Sequence, residues 1–296
     1  MGQKMKKAFS TAKGTLFYED GDAGTAIVGY TGADDGLRIP EQISDRNVIS
    51  IAKKAFWNSS LLRVVIPRTV TEIGDWAFAG CRRLEEVTLC GGQIRVGKGL
   101  FQKCPVLRGI SMPLPGRTEG EPRVAPALLA SAVMVLGAEY LLYLPQGGWY
   151  ECLDAKILEI LRESPEQVMR RLVYCAEEDM LAKQEQALRA QKKRNCRIAL
   201  LRLAHDEGLS HTVAERLRAY LLQAAESSGC LWETVTEAGA EGFAYCDILL
   251  QIGCIHAGNL NAVLEVFGEA QIEYRAYLLR RWRERTRPSV WDTLRL

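Results

Sequence analysis

Between residues 51 and 113 the same residue types return every 23 positions. Leu61, Leu84 and Leu107 form one set, Val64, Val87 and Ile110 a second, and Ile66, Leu89 and Met112 a third. Pro67, Cys90 and Pro113 follow in each unit. Upstream, Ile73 corresponds to Val96, Gly74 to Gly97 and Phe78 to Phe101. The first unit offers Ile51, Ala52 and Phe56 one residue out of step, which implies a one-residue deletion between Phe56 and Leu61. Asn58, Cys81 and Cys104 then share a position, with Asn58 expected to turn inward.

This period limits the fold sharply. In L-x-x-V-x-I the Val and Ile alternate, so both point to one face of a short strand. The Ala-Phe pair of each unit, on the returning turn, fills the interior opposite. Gly74 and Gly97 are expected to take a backbone conformation that other residues resist. No unit buries its apolar side alone, so stacked neighbours must share one core. A fixed period of roughly 20–29 residues with Leu at strand positions marks a leucine-rich solenoid.

The pattern resembles the BspA-like leucine-rich repeat family, whose signature is I-G-x-x-A-F-x-x-C-x-x-L-x-x-V-x-I-P. It is met by Ile73-Gly74, Ala77-Phe78, Cys81, Leu84, Val87 and Leu89. The entry segment Ile27-Val28-Gly29-Tyr30-Thr31-Gly32, then Leu37-Arg38-Ile39-Pro40, then Val48, fits as well. The resemblance covers roughly residues 15–113, with about three full units. It implies a right-handed solenoid that binds proteins or surfaces and performs no chemistry. Many relatives are exported.

After Met112 the composition changes. Residues 114–126, rich in Pro, Gly and charge, read as a linker. Residues 127–296 show helical spacing, with helices expected over 127–144, 152–162, 165–176, 178–204, 210–226, 239–257, 259–267 and 271–286. Ser164 before Pro165-Glu166, and Ser210 before His211, supply caps. The expected architecture is therefore α+β and multidomain: a repeat domain with an N-terminal cap over 1–113, then an all-α domain over 127–296. Asp247–His256 and Leu260–Phe267, around Ala257-Gly258-Asn259, are similar to the helix-turn-helix of ankyrin-like repeats, without the T-P-L-H signature. Ala199–Leu203 with Leu209-Ser210 and Arg218–Leu221 resembles a helical domain that trails BspA-like repeats in bacterial proteins of unknown function. We expect the apolar helix from 127 to pack on the open end of the solenoid or to anchor the helical domain.

The formal net charge of +2 argues against a polyanion binder over the whole chain. Nine cysteines, an odd number with no C-x-x-C pair, fit reduced and mostly buried thiols. The N-terminus has basic residues but no apolar core of a secretory signal. A cytoplasmic location is expected from these two features. The stretch 127–144 approaches the length of a membrane span, but it carries Glu139 and Gly137 and reads as a buried helix. No span is expected.

The chemical motifs fail one by one. Gly92-x4-Gly97-Lys98 imitates a phosphate loop, yet Gly99 stands where Ser or Thr must hold magnesium. His205 and His211, in an H-x5-H spacing, fit no standard zinc pair. Cys254 and His256 sit at i and i+2, which diverge on a helix. Glu85 and Glu86, adjacent on a strand, face opposite sides. Glu177-Glu178-Asp179 reads as solvated surface, and Asn58-Ser59-Ser60 is only formally a glycosylation sequon. No catalytic residue, cofactor or metal is expected.

Two basic stretches remain. One is Gln191–Arg194 with Arg197; the other is the C-terminal segment from Tyr274, with seven arginines, one Glu, one Asp, Trp282 and Trp291. Both read as solvated helix faces whose aromatics pack inward. The sequence therefore points to a non-enzymatic scaffold that binds an unidentified protein. Candidate contacts are Trp57, Arg63, Trp76, Glu86 and Arg108, because Trp and Arg most often dominate interfaces. Two rival classes stay open: a nucleic-acid-associated protein using the Arg-rich tail, and an enzyme with an interdomain site.

Overall fold

The computed structural model describes residues 5–92, 94–112, 125–143, 148–167, 180–227, 229–268 and 271–286. They fall into two compact units, which part between Lys156 and Ile157.

The first unit is a β-solenoid of about four turns. One wall is a parallel sheet in the order β11-β9-β7-β4, comprising Gly109–Ser111, Glu86–Leu89, Arg63–Ile66 and Gly36–Arg38. The other wall stacks β3 (Thr25–Gly32), β6 (Arg46–Ile51), β8 (Glu72–Ile73) and β10 (Arg95–Val96) in parallel. The register follows the period read from the sequence, with Val64 opposite Val87 and Val87 opposite Ile110. Val64, Ile66, Val87, Leu89, Ile110 and Met112 are all buried. Ahead of the coils, β1 (Lys7–Ser10) and β2 (Gly14–Asp20) run antiparallel and extend the second wall from β3; β5 (Gln42–Ile43) pairs with β6.

Between the walls runs an aromatic ladder. Phe56 and Phe78 stack at 4.8 Å, Phe78 and Phe101 at 5.8 Å, and Tyr30 continues the column 5.6 Å from Phe56. Tyr30 is fixed by Asp34, whose carboxylate accepts bonds from Thr11 Oγ1, Lys13 N and Tyr30 Oη. Burial works to raise the Asp34 pKa, but these donors outweigh it and hold the carboxyl below its usual value.

Three local expectations need correction. Gly74 and Gly97 are not in the left-handed region. Their constraint is close approach: a Cβ would stand 2.6 Å from Lys53 N at Gly74, and 2.3 Å from Asp75 N at Gly97. Left-handed backbone occurs instead at Lys54, Trp76 and Gly99, and again at Asn58, Gly80 and Lys103. Asn58 therefore matches Gly80, not Cys81, and it is exposed. Ser59 takes the cysteine position, its Oγ 3.1 Å from Cys81 Sγ, so the deleted residue falls after Ser59.

The expected helix over 127–144 is interrupted. α1 (Pro126–Leu136) starts with Pro126 and ends at Gly137 in the left-handed conformation. A 3-10 turn, η1 (Glu139–Leu142), follows. α1 packs on β11, and Leu142 O accepts a bond from Ile94 N beside β10. The last coil is thus closed by apolar helix, as a solenoid end requires. No helix among the described residues is long and apolar enough to cross a membrane. A chain cut after residue 113 is expected to associate on size-exclusion chromatography; a monodisperse monomer would show that α1 is not needed as a cap.

α2 (Trp149–Leu161) begins in the first unit, where Trp149 Nε1 donates to Leu141 O. The Ser164 cap is present, with Ser164 Oγ accepting from Gln167 N and Gln167 Oε1 from Ser164 N. The helix expected over 165–176 lies mostly outside the described residues, as do Glu177–Asp179, Trp291 and nearly all of the 114–126 linker.

The second unit packs α3 (Met180–Ala204), α4 (His211–Ser227), α5 (Cys230–Glu237), α6 (Glu241–Ile252), α7 (Leu260–Phe267) and α8 (Ile272–Thr286). α5 lies outside the helices expected from spacing, and its Thr234, Val235 and Thr236 are poor helix formers. It is held by α3: Arg189 pairs with Glu233, and Lys193 with Glu233 and Glu237. The helix expected over 239–257 stops at Ile252, where Gly253 turns left-handed.

Candidate protein-binding surface

The coils expose two faces with different chemistry. On the strand wall the outward residues are Arg63 and Val65 of β7 and Glu86 and Thr88 of β9. Arg63 lies opposite Glu86 in the ladder, and their side chains pair at 3.4 Å. Arg108 pairs with Glu85 at 2.6 Å, Arg83 with Asp35 and Arg68 with Glu41. Four arginines of this face are thus paired, while Arg38 of β4 is exposed without an ion pair among the described residues.

The turn after the second wall is different. Backbone bonds from Lys54 N to Asp75 O and from Trp76 N to Lys98 O set the coils in register. They place Lys53, Asp75 and Lys98 at one position, Lys54, Trp76 and Gly99 at the next, and Trp57, Ala79 and Gln102 three further on. Trp57 is 55 % exposed. Lys54 Nζ lies 4.9 Å from the Trp57 ring and 5.9 Å from Trp76, and Lys53 Nζ lies 4.8 Å from Trp76. The Trp76 indole also covers Gly99 of the next coil, its Nε1 2.7 Å from where a Cβ would stand.

Two hollows adjoin this turn. One, of about 500 Å³, crosses the short strands and includes Ser50, Lys53, Glu72 and Asp75. The other, about 580 Å³, lies between β10 and η1 and is lined by Lys98, Gly99, Tyr140 and Tyr143.

The structure therefore divides the expected contact residues. Trp57 and Trp76 come together around Lys54. Arg63 and Glu86 form a separate pair on the strand wall, and Arg108 lies beside Glu85. Sequence reasoning missed Lys53, Lys54, Lys98 and Lys103, of which the repeat register aligns only Lys53 with Lys98.

The remaining motifs have structural explanations. Burial pushes the Cys254 thiol up to about 12, and His256 Nδ1 accepts a bond from Gly258 N. Burial lowers the His205 pKa. No cluster of metal-binding side chains occurs among the described residues. Arg197 pairs with Glu241, Arg281 with Asp247 and Glu284, and Arg280 with Glu284. In α8, Tyr274 and Leu278 turn inward while Arg280, Arg281, Arg283 and Arg285 face solvent.

Residues 39–118 match the family model described as BspA type leucine rich repeat region, in six copies. That segment is a BspA-type leucine-rich repeat region. A leucine-rich repeat protein of T. pallidum is 30% identical over 37% of this chain and 52% of that one, with a TM-score of 0.33. A leucine-rich cell surface protein of Faecalibacterium prausnitzii is 28% identical over 36% of this chain and 32% of its own length, with a TM-score of 0.28. A leucine-rich repeat protein of Bacteroides ovatus is 26% identical over 36% and 30%, with a TM-score of 0.31. The chain spans about half the length of the first of these and a third of the second. No curated protein matches it. Leucine-rich repeats are in general protein-interaction scaffolds.

Proposed function

We propose that this protein is a non-enzymatic docking scaffold whose contact surface is the Trp57–Trp76 turn of the BspA-type repeats. The observation that carries this reading is the contrast between the two faces. On the strand wall Arg63 and Arg108 are paired with Glu86 and Glu85, whereas the turn leaves an exposed tryptophan and cation-bearing indoles toward solvent.

Backbone strain supports it. Trp76 and Lys54 occupy a left-handed position where the last coil uses Gly99. A bulky side chain there costs about 1 kcal/mol or more that glycine avoids. The side chains that carry this cost are those of the proposed surface. Rim arginines already paired with glutamates contribute little at an interface, while exposed aromatics anchor it.

The cytoplasm is the compartment we favour. Cys81 and Cys104 are free, buried and 3.1 Å from Phe56 O and Phe78 O, in keeping with a chain whose cysteines are used as thiols.

Affinity capture from the source cell, with captured proteins identified by mass spectrometry, tests the surface. Trp57→Ala is expected to lower recovery of the specific partner about tenfold or more, and Arg63→Ala to leave it intact. Unchanged capture by Trp57→Ala, or loss with Arg63→Ala alone, refutes the turn as the docking face.

A further inference from the structure

We propose that the turn face recognises an acidic protein segment through Lys53, Lys54, Lys98 and Lys103; this rests on the docking reading above and adds the chemistry of its partner. All four lysines are exposed, and none has an ion-pair partner among the described residues. The coil register places them on the turns of two coils, at three repeat positions. Lys53 and Lys98 share one position two coils apart, a separation of about 10 Å at the strand-to-strand spacing. Lys103 extends the array at the position of Asn58 and Gly80, which Gly80 N → Gln102 O and Asn58 N → Ala79 O define.

The acids beside the array are Asp75, whose Oδ1 accepts a bond from the Lys98 backbone N–H at 2.9 Å, Glu139 across the hollow from Lys98, and Glu72, which is paired with Arg95. Four ammonium groups outnumber the two carboxylates Asp75 and Glu139, so the array keeps a net positive charge. Elsewhere in the same repeats, cross-coil pairs such as Arg63–Glu86 and Arg95–Glu72 show that opposite charges are readily placed in register. Their absence along the lysine array leaves a surface complementary to carboxylates.

The indoles decide between two kinds of anionic partner. Single-stranded nucleic acid needs free aromatic faces on which bases stack. Here ammonium groups already lie over both rings, and Trp76 packs against Gly99. A carboxylate needs no ring face, because it pairs with the ammonium itself. Trp57 then supplies apolar contact beside the ion pair.

The test uses the full chain, with fluorescein-labelled poly-L-glutamate and poly(U) as probes in anisotropy titrations over a range of salt. Wild type is expected to bind poly-L-glutamate, with affinity falling steeply as salt rises. Replacing Lys53, Lys54, Lys98 and Lys103 together with glutamine is expected to weaken binding about tenfold or more. Lys53→Gln with Lys98→Gln, which avoids the left-handed positions, should give about a threefold loss or more and guards against a folding defect. Arg63→Gln with Arg108→Gln on the strand wall should change affinity less than about twofold.

Failure of wild type to bind poly-L-glutamate at low salt overturns the inference, as does binding unchanged in the lysine variants. Tighter binding of poly(U) at the same lysines also overturns it and assigns the face to nucleic acid. If Trp57→Ala abolishes partner capture while the lysine variants alter neither probe binding nor capture, the docking reading stands and the acidic partner falls.

Discussion

Replacing Phe78 with alanine is expected to destabilise the repeat unit by about 3–5 kcal/mol. The ring is fully buried between two others, 4.8 Å from Phe56 in a nearly parallel stack and 5.8 Å from Phe101. Its own backbone is held on both sides, by Phe78 N → Leu100 O and by Cys104 Sγ → Phe78 O. The peptide frame is therefore poorly placed to collapse into the void, and incomplete relaxation is what makes a core deletion costly. Each coil touches only its neighbours, so a gap in a middle coil removes contacts to both. Phe78→Leu keeps most of the volume and should cost clearly less. Urea unfolding read by hydrogen exchange at the repeat amides separates this unit from the helical one. A loss below about 1 kcal/mol in Phe78→Ala would show that the aromatic column is not the centre of the core.

That column was largely legible in the sequence, because Phe56, Phe78 and Phe101 occupy one position of a period that also locates β7, β9 and β11. The same period contained more than strand positions. Arg63 and Glu86 are 23 residues apart, so their pairing on the strand wall follows from the register that defines the core. Residue type alone nevertheless groups the paired arginines Arg63 and Arg108 with tryptophans that lie on another face. What the period does not reveal is where a one-residue deletion is absorbed. Sequence alignment alone allows Asn58 to match Cys81; the left-handed backbone shared by Asn58, Gly80 and Lys103 shows otherwise. Nor does helical spacing identify α5, whose β-branched residues disfavour a helix until Arg189 and Lys193 on α3 meet Glu233 and Glu237. Local pattern found the elements that repeat; the exceptions depend on contacts between segments distant in the chain.

Gly97 offers a direct test of which kind of constraint rules a turn that recurs from coil to coil. If glycine were needed for left-handed backbone, asparagine, which tolerates that region, would be the best replacement. The backbone at Gly97 is not left-handed, and the limit is space. A Cβ there would lie 2.3 Å from Asp75 N, 2.5 Å from Asp75 Oδ1 and 2.7 Å from Asp75 Cα. Two of these atoms are backbone of the preceding coil, so relief requires the coils to separate. That separation would strain Gly97 N → Ile73 O and Lys98 N → Asp75 Oδ1, which join the same two coils. Gly97→Ala is therefore expected to cost about 1–3 kcal/mol or more, and Gly97→Asn at least as much. Thermal unfolding of both variants beside wild type provides the measurement. Asparagine clearly outperforming alanine would restore the conformational explanation and reject close packing of the coils at this point. The expected order links back to the proposed surface: Asp75, Trp76 and Lys98 hold their places on the turn because coil sits on coil at Gly74 and Gly97, with no room between them for even a methyl group.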